Sequence, residues 1–157
     1  MFVEKFILYF SIFISTFAMW KFIPQEKRRH AHIAFLFKQF LTWFSGLVVA
    51  NLGLIEYPVR FFHTVNKTSF TFEFMSFPVI CAFFNIYYPE YESKAIKLRY
   101  YFSFCSVLTA IELILENYTQ LIKYIHWSGY MTWVSLLVTL YTSRLYYRWF
   151  FKSEFTQ

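Results

Sequence analysis

The sequence predicts an all-α integral membrane bundle, a single transmembrane domain over residues 1–157 with five transmembrane helices. Three observations predict it. The chain is 58% hydrophobic and only 15% charged, where a soluble domain runs nearer a quarter charged. Its 23 Phe, 13 Tyr and 5 Trp are more ring surface than a soluble protein of 157 residues can hide. And the Lys and Arg residues fall between apolar runs rather than along one polar face.

The first run, 6–22, is flanked by Lys5 and Lys21. A signal peptide is the competing reading. No small-x-small cleavage site comes after it, however. The run closes instead on Trp20-Lys21-Phe22-Ile23-Pro24, an interfacial anchor and a stop, which favours a retained helix. Residues 25–32, QEKRRHAH, form the most basic loop. The second run, 33–55, is interrupted only by Lys38, Gln39 and Asn51, with Gly46 and Gly53 as notches for a neighbouring helix. The connector 57–69 carries Arg60, Phe61, Phe62 and Val65 and suits the membrane interface. The third run, 70–88, contains Pro78, which removes a backbone donor and should mark a helix kink. Residues 90–99 read as a soluble linker. The fourth run spans 100–117 and the fifth 126–147. Strict alternation is absent, which argues against a β-barrel.

Charge orients the bundle. Five spans place Lys21, Lys27, Arg28, Arg29, Lys94, Lys97, Arg99, Arg144, Arg148 and Lys152 on one side, with Lys38 snorkelling to the same side. Only Lys5, Arg60, Lys67 and Lys123 fall on the other. Eleven against four puts the N-terminus outside and the C-terminus in the cytoplasm.

Ionisable groups inside a membrane are costly and are functional candidates by default. In this topology Glu56, Glu73, Glu112 and Glu116 all lie toward the outer leaflet. Glu112 and Glu116 are four apart and share a helix face. Such carboxylates can form a candidate polar or ion site, since like charges held close resist joint ionisation. The alternative is that they reach water or pair with Arg60, Lys67 or Lys123. Asn51 and Asn85 suit interhelical hydrogen bonds. Cys81 and Cys105 read as small buried hydrophobes. His30-Ala31-His32 lacks carboxylate or Cys company, and its cationic neighbours would repel a metal, so no metal is expected there. Lys27, Arg28 and Arg29 suit anionic lipid.

Between Glu73 and Pro89 the chain reads E-x3-F-P-x6-N-x2-Y-P, on Glu73, Phe77, Pro78, Asn85, Tyr88 and Pro89. This resembles a family of small, uncharacterised multi-pass membrane proteins of Bacillus, Clostridium and related spore-forming bacteria. The resemblance implies a multi-pass protein of the bacterial cytoplasmic membrane and brings no assigned activity. Pro78 also leaves the Phe74 carbonyl without its helical donor, and another helix, water or an ion must satisfy it.

No nucleophile motif, HExxH or Gly-rich phosphate loop occurs, and the chain has three Gly. The sequence therefore predicts no enzyme, no cofactor and no nucleic-acid partner. Its partners are the lipid bilayer and either further copies or a larger membrane complex. Two roles stay open: a structural, accessory or sensory membrane component, or an oligomeric cation or proton transporter or channel using the outer glutamates.

Overall fold

The computed structural model describes residues 2–152 and is all-helical apart from one minimal strand pair. Helix α1 is Phe2–Phe22, and a single 3-10 turn, Gln25–Lys27, leads into α2, Arg28–Asn51. A π-helical stretch, Phe70–Ser76, runs directly into α3, Phe77–Ile86. Helix α4 is Lys94–Tyr118 and α5 is Gly129–Phe150. The two-residue strands β1, Ile55–Glu56, and β2, Lys123–Tyr124, pair antiparallel, Ile55 opposite Tyr124 and Glu56 opposite Lys123.

Three helical stretches are long and apolar enough to cross a membrane: Phe2–Phe22, Gln25–Asn51 and Lys94–Tyr118. Their outer faces carry Phe6, Phe13, Phe40, Phe44, Phe102 and Ile114, all exposed. Apolar surface this extensive suits lipid contact. The continuous helix Phe70–Ile86 is shorter, below the ~20 residues a span ordinarily needs. It is the central helix. Pro78, Val79, Cys81, Ala82, Phe84, Asn85 and Ile86 are all buried along it. Phe84 packs among Tyr100, Tyr101 and Phe104 of α4, and Cys81 and Phe84 share a core with Leu136 and Leu140 of α5. The closest helix-to-helix packing of α3 is against α2, not against its sequence neighbour α4.

The ends differ from expectation at physically readable points. The basic segment 25–32 is mostly helical, as α2 begins at Arg28. That same helix stops at Asn51 rather than 55, because Gly53 adopts φ 67° just past its end. There Leu54 N–H bonds the Val49 carbonyl at 3.1 Å and Gly53 N–H bonds the Ala50 carbonyl at 3.2 Å, the Schellman closure. Gly53 is thus a helix stop, not a packing notch, and a Cβ there would meet nothing within 4 Å. The linker 90–99 is half helical: the Ser93 hydroxyl caps α4 by accepting from Ile96 N–H at 3.4 Å. Ser128 caps α5 in the same way, accepting from Met131 N–H at 3.4 Å.

At Pro78 the ladder changes spacing. The Phe77 N–H reaches back five residues to Phe72, the π-helical bond, and Pro78 sits in the first turn of α3. Side chains of α2 donate to two carbonyls one turn before Pro78, one of them the Phe74 carbonyl that the proline leaves without its helical donor. Gln39 Nε2 donates to the Phe74 carbonyl at 2.9 Å, and Thr42 Oγ1 donates to that of Glu73 at 2.7 Å. Both contacts fasten the central helix to α2.

Candidate functional site

A cavity of about 470 Å³ lies among α2, α5, the π-helical stretch and the C-terminal part of α4. Glu73 and Glu112 both line it, together with the hydroxyl residues Thr42, Ser45, Tyr57, Thr132, Ser135 and Thr139. Exposed Tyr130, Met131 and Val138 also form part of its wall, so it opens sideways between α2 and α5.

Each carboxylate is held by neutral donors. The Tyr57 hydroxyl donates to Glu73 Oε1 at 3.1 Å. Tyr124 and Thr132 hydroxyls donate to Glu112 Oε1 at 2.7 and 2.8 Å, and the Trp127 indole N–H donates to Thr132 Oγ1 at 2.8 Å. Burial, then the charges of Glu73 and Glu112, push the Tyr57 phenol well above its usual range. Burial and Glu112 raise Tyr124 as well. Both phenols therefore stay neutral donors. Glu73 and Glu112 lie close enough to act on one another electrostatically.

Gly46 makes room for Glu73. A Cβ at Gly46 would stand 2.8 Å from Thr68 Oγ1 and 3.0 Å from Glu73 Cγ. Thr68 is fixed from the loop side, where its N–H bonds Asn66 Oδ1 and its carbonyl accepts from Asn66 Nδ2. The loop in turn is tied by Arg60, which donates to the carbonyls of Tyr57 and Asn66 at 2.6 Å and of His63 at 3.2 Å. Arg60 serves the loop backbone rather than the glutamates.

The four predicted glutamates separate. Glu73 and Glu112 share the cavity. Glu116, one turn beyond Glu112, does not line it, and Glu56 is exposed on β1 opposite Lys123. Asn85 is buried and interhelical, its Nδ2 donating to the Cys81 carbonyl at 3.0 Å and to Ser143 Oγ at 3.4 Å. Asn51 is instead exposed at the end of α2, because the helix closes there. His30 and His32 diverge: His30 Nδ1 pairs with the Tyr147 hydroxyl at 2.8 Å, and His32 Nδ1–H donates to the Arg28 carbonyl at 2.7 Å. Among the described residues no group of three or more His, Cys, Asp or Glu side chains gathers.

Two cations sit where sequence position does not lead one to expect them. Lys38 does not snorkel. It is 1% exposed, and its Nζ donates at 2.5 Å to Thr139 Oγ1, whose residue lines the cavity. Its position inside an apolar run is the feature that marks it. Arg144 is not a loop charge. It is buried in α5, paired through Nη2 with Glu90 Oε2, and it donates through Nη1 to the Asn85 carbonyl at 3.2 Å. Its guanidinium lies 4.2 Å from the Tyr88 ring centroid and 5.0 Å from that of Tyr147. Tyr88, half-buried just past the end of α3, thus stacks on Arg144.

These groups form a polar file along the bundle. It starts at Glu112 and Glu73, passes Thr42, Lys38 and Thr139, reaches Cys81 and Ser143 in contact at 3.0 Å, and ends at Asn85, Arg144 and Glu90. No protein-family model matches the chain, and no curated protein and no solved structure matches it.

Proposed function

We propose that the chain is a five-span protein of the cell membrane, N-terminus outside, and that its Glu73–Glu112 cavity binds and exchanges protons or a small cation. One observation carries the site: two carboxylates share a cavity, and among the described residues no basic nitrogen lies within 4.0 Å of either. Two ionised carboxylates so placed need a counter-charge, because low dielectric magnifies their repulsion and their desolvation. A proton or a bound cation supplies it. Lys38 is within electrostatic reach of Glu73 and offsets part of one charge. Of the two roles the sequence leaves open, this favours proton or cation exchange over a purely accessory one. The open side between α2 and α5 is where a second copy or another membrane protein would complete the wall.

Connectivity supports five spans. If α1, α2 and α4 cross, α2 ends at the β1–β2 end of the bundle while α4 starts at the Arg144–Glu90 end, so Phe70–Ile86 has to cross between them. Helix α5 returns from β2 to lie beside the start of α2, where His30 meets Tyr147. Setting aside the buried Lys38 and Arg144 still leaves nine positive charges at one end against four at the other, and the positive-inside rule gives the same orientation. Val65 is 88% and Tyr91 98% exposed, in loops at opposite ends. A membrane-impermeant maleimide should label Val65→Cys on intact cells and Tyr91→Cys only after permeabilisation. The reverse pattern would invert the orientation, and labelling of both from outside would remove a span.

The site is tested in sealed vesicles carrying the purified protein and a proton or alkali-cation gradient. Wild type should dissipate the gradient. Glu73→Gln and Glu112→Gln, each shape-conserving, should bring the rate down to that of protein-free vesicles while the protein stays folded. Wild-type vesicles no leakier than empty ones to protons or cations would sink the exchange reading and return the chain to an accessory or sensory role.

A further inference from the structure

A second site lies at the opposite end of the bundle, between α1 and α2. A groove of about 270 Å³ is bounded by Thr16, Met19 and Trp20 of α1, by Ile23 just past its end, and by Arg28 and His32 of α2. Its floor is apolar, with Ile23 and Ala31 at 4% and 1% exposure. Arg28 and His32, one turn apart on the same face of α2, form its polar wall, and both are exposed. The His32 ring is held in place by its bond to the Arg28 carbonyl.

We propose that this groove seats an anionic phospholipid, with the phosphodiester at Arg28 and an acyl chain running along α1. Two features distinguish this from a general attraction of the basic segment for a charged surface. The first is depth. Trp20 and Lys21 close the apolar run, at the level where aromatic and long cationic side chains meet headgroups. The second is an apolar track leading from the groove toward the middle of α1. The rings of Trp20 and Phe17 are 6.2 Å apart, as are those of Phe17 and Phe13, and Phe13 and Phe17 are 68% and 38% exposed. A free phosphate uses neither the apolar floor nor the track; a lipid uses both. Lys21, Lys27 and Arg29 add positive charge to the segment that joins the two helices, against Glu26 alone there. The proposal rests on membrane insertion of α1 and α2 but not on the carboxylate cavity, which is at the other end of the bundle.

Native mass spectrometry of the full chain, released from detergent, tests it with phosphatidylglycerol and phosphatidylcholine of equal acyl length. Phosphatidylglycerol adducts should outnumber phosphatidylcholine adducts. Arg28→Ala should weaken the phosphatidylglycerol adduct about fivefold, the effect of one lost surface charge near a headgroup. Lys94→Ala, which removes a charge at the same end but away from the groove, should leave it unchanged. Circular dichroism of the variants checks folding. Equal adduct formation by the two lipids, or equal losses in Arg28→Ala and Lys94→Ala, would overturn the site. Displacement of phosphatidylglycerol by an equal concentration of glycerol phosphate would overturn the choice of a lipid. None of these readouts depends on ion flux, so this proposal and the exchange reading fail separately.

Discussion

Arg144→Ala is expected to destabilise the protein by about 3–5 kcal/mol, the loss seen when one partner of a buried charge pair is removed. Arg144 is 5% exposed and its guanidinium is engaged on several sides. It pairs with Glu90, donates to the Asn85 carbonyl and lies over Tyr88 and Tyr147. After truncation Glu90, with its side chain 19% exposed, is left with Arg148 Nε at 3.7 Å. The Asn85 carbonyl loses that donor, and a void opens between two rings. For a chain of this length each kcal/mol shifts the melting temperature by ~2–4 °C, so a drop of ~10 °C in detergent is expected. Arg144→Lys should recover only part of it, because an ammonium cannot serve Glu90 and Asn85 with one planar fork. Glu90→Gln in the Arg144→Ala background should restore some stability by removing the stranded charge. An Arg144→Ala protein that melts with wild type would show that the pairing contributes nothing.

Gly46→Ala carries opposing terms, and their balance sets the second prediction. Within a helix the change should gain up to ~1 kcal/mol from backbone entropy. Against this, the new methyl would sit 2.8 Å from Thr68 Oγ1 and 3.1 Å from Glu73 Cδ. Overpacking of this kind costs ~1–3 kcal/mol. Thr68 has little room to yield, being fully buried with its backbone held by Asn66. Glu73 has to yield, and it moves off the Tyr57 hydroxyl. A modest net loss of stability is expected with a much larger loss of proton or cation flux, because the carboxylate leaves its place in the cavity. A raised melting temperature with normal flux would show that Gly46 has no bearing on the site.

Periodicity and composition make the helices legible, since five apolar runs separated by charged or Pro-containing segments leave few other arrangements. Their ends are less legible. Ser93 and Ser128 are ordinary N-caps, but Lys94, Lys97 and Arg99 read as a solvated linker when charge is weighed before capping. Glu73 and Glu112 can be singled out as intramembrane charges. That Glu112 and not Glu116 enters the cavity depends on how far α4 is rotated, which sequence spacing does not record. Lys38 is visible as a charge in an apolar run, but long side chains near helix ends usually reach the interface, and nothing local marks Thr139 as its partner. Tyr57 joins the site because Gly53 ends α2 early and the chain turns back through β1, a consequence of one left-handed residue. Pro78 announces an interrupted ladder without indicating that Gln39 of α2 donates to the freed carbonyl and Thr42 to the one before it.

The Lys38–Thr139 contact bears on the order in which the protein is made. The two residues are 101 positions apart. If the bundle spans a membrane as proposed, then at ribosomal speeds of ~5–20 residues per second Lys38 enters the bilayer several seconds before its acceptor exists. During that interval α2 carries an ammonium that has to stretch toward headgroups or draw in water. Only the arrival of α5 lets it retract to its buried position beside the cavity. A nascent chain halted before Thr139 is therefore left with a stranded charge at membrane depth, the kind of defect by which a quality-control protease can tell an unfinished copy from a finished one. The last helix then completes the bundle in two places at once, receiving Lys38 midway along its length and locking Glu90 with Arg144 little more than a turn further on.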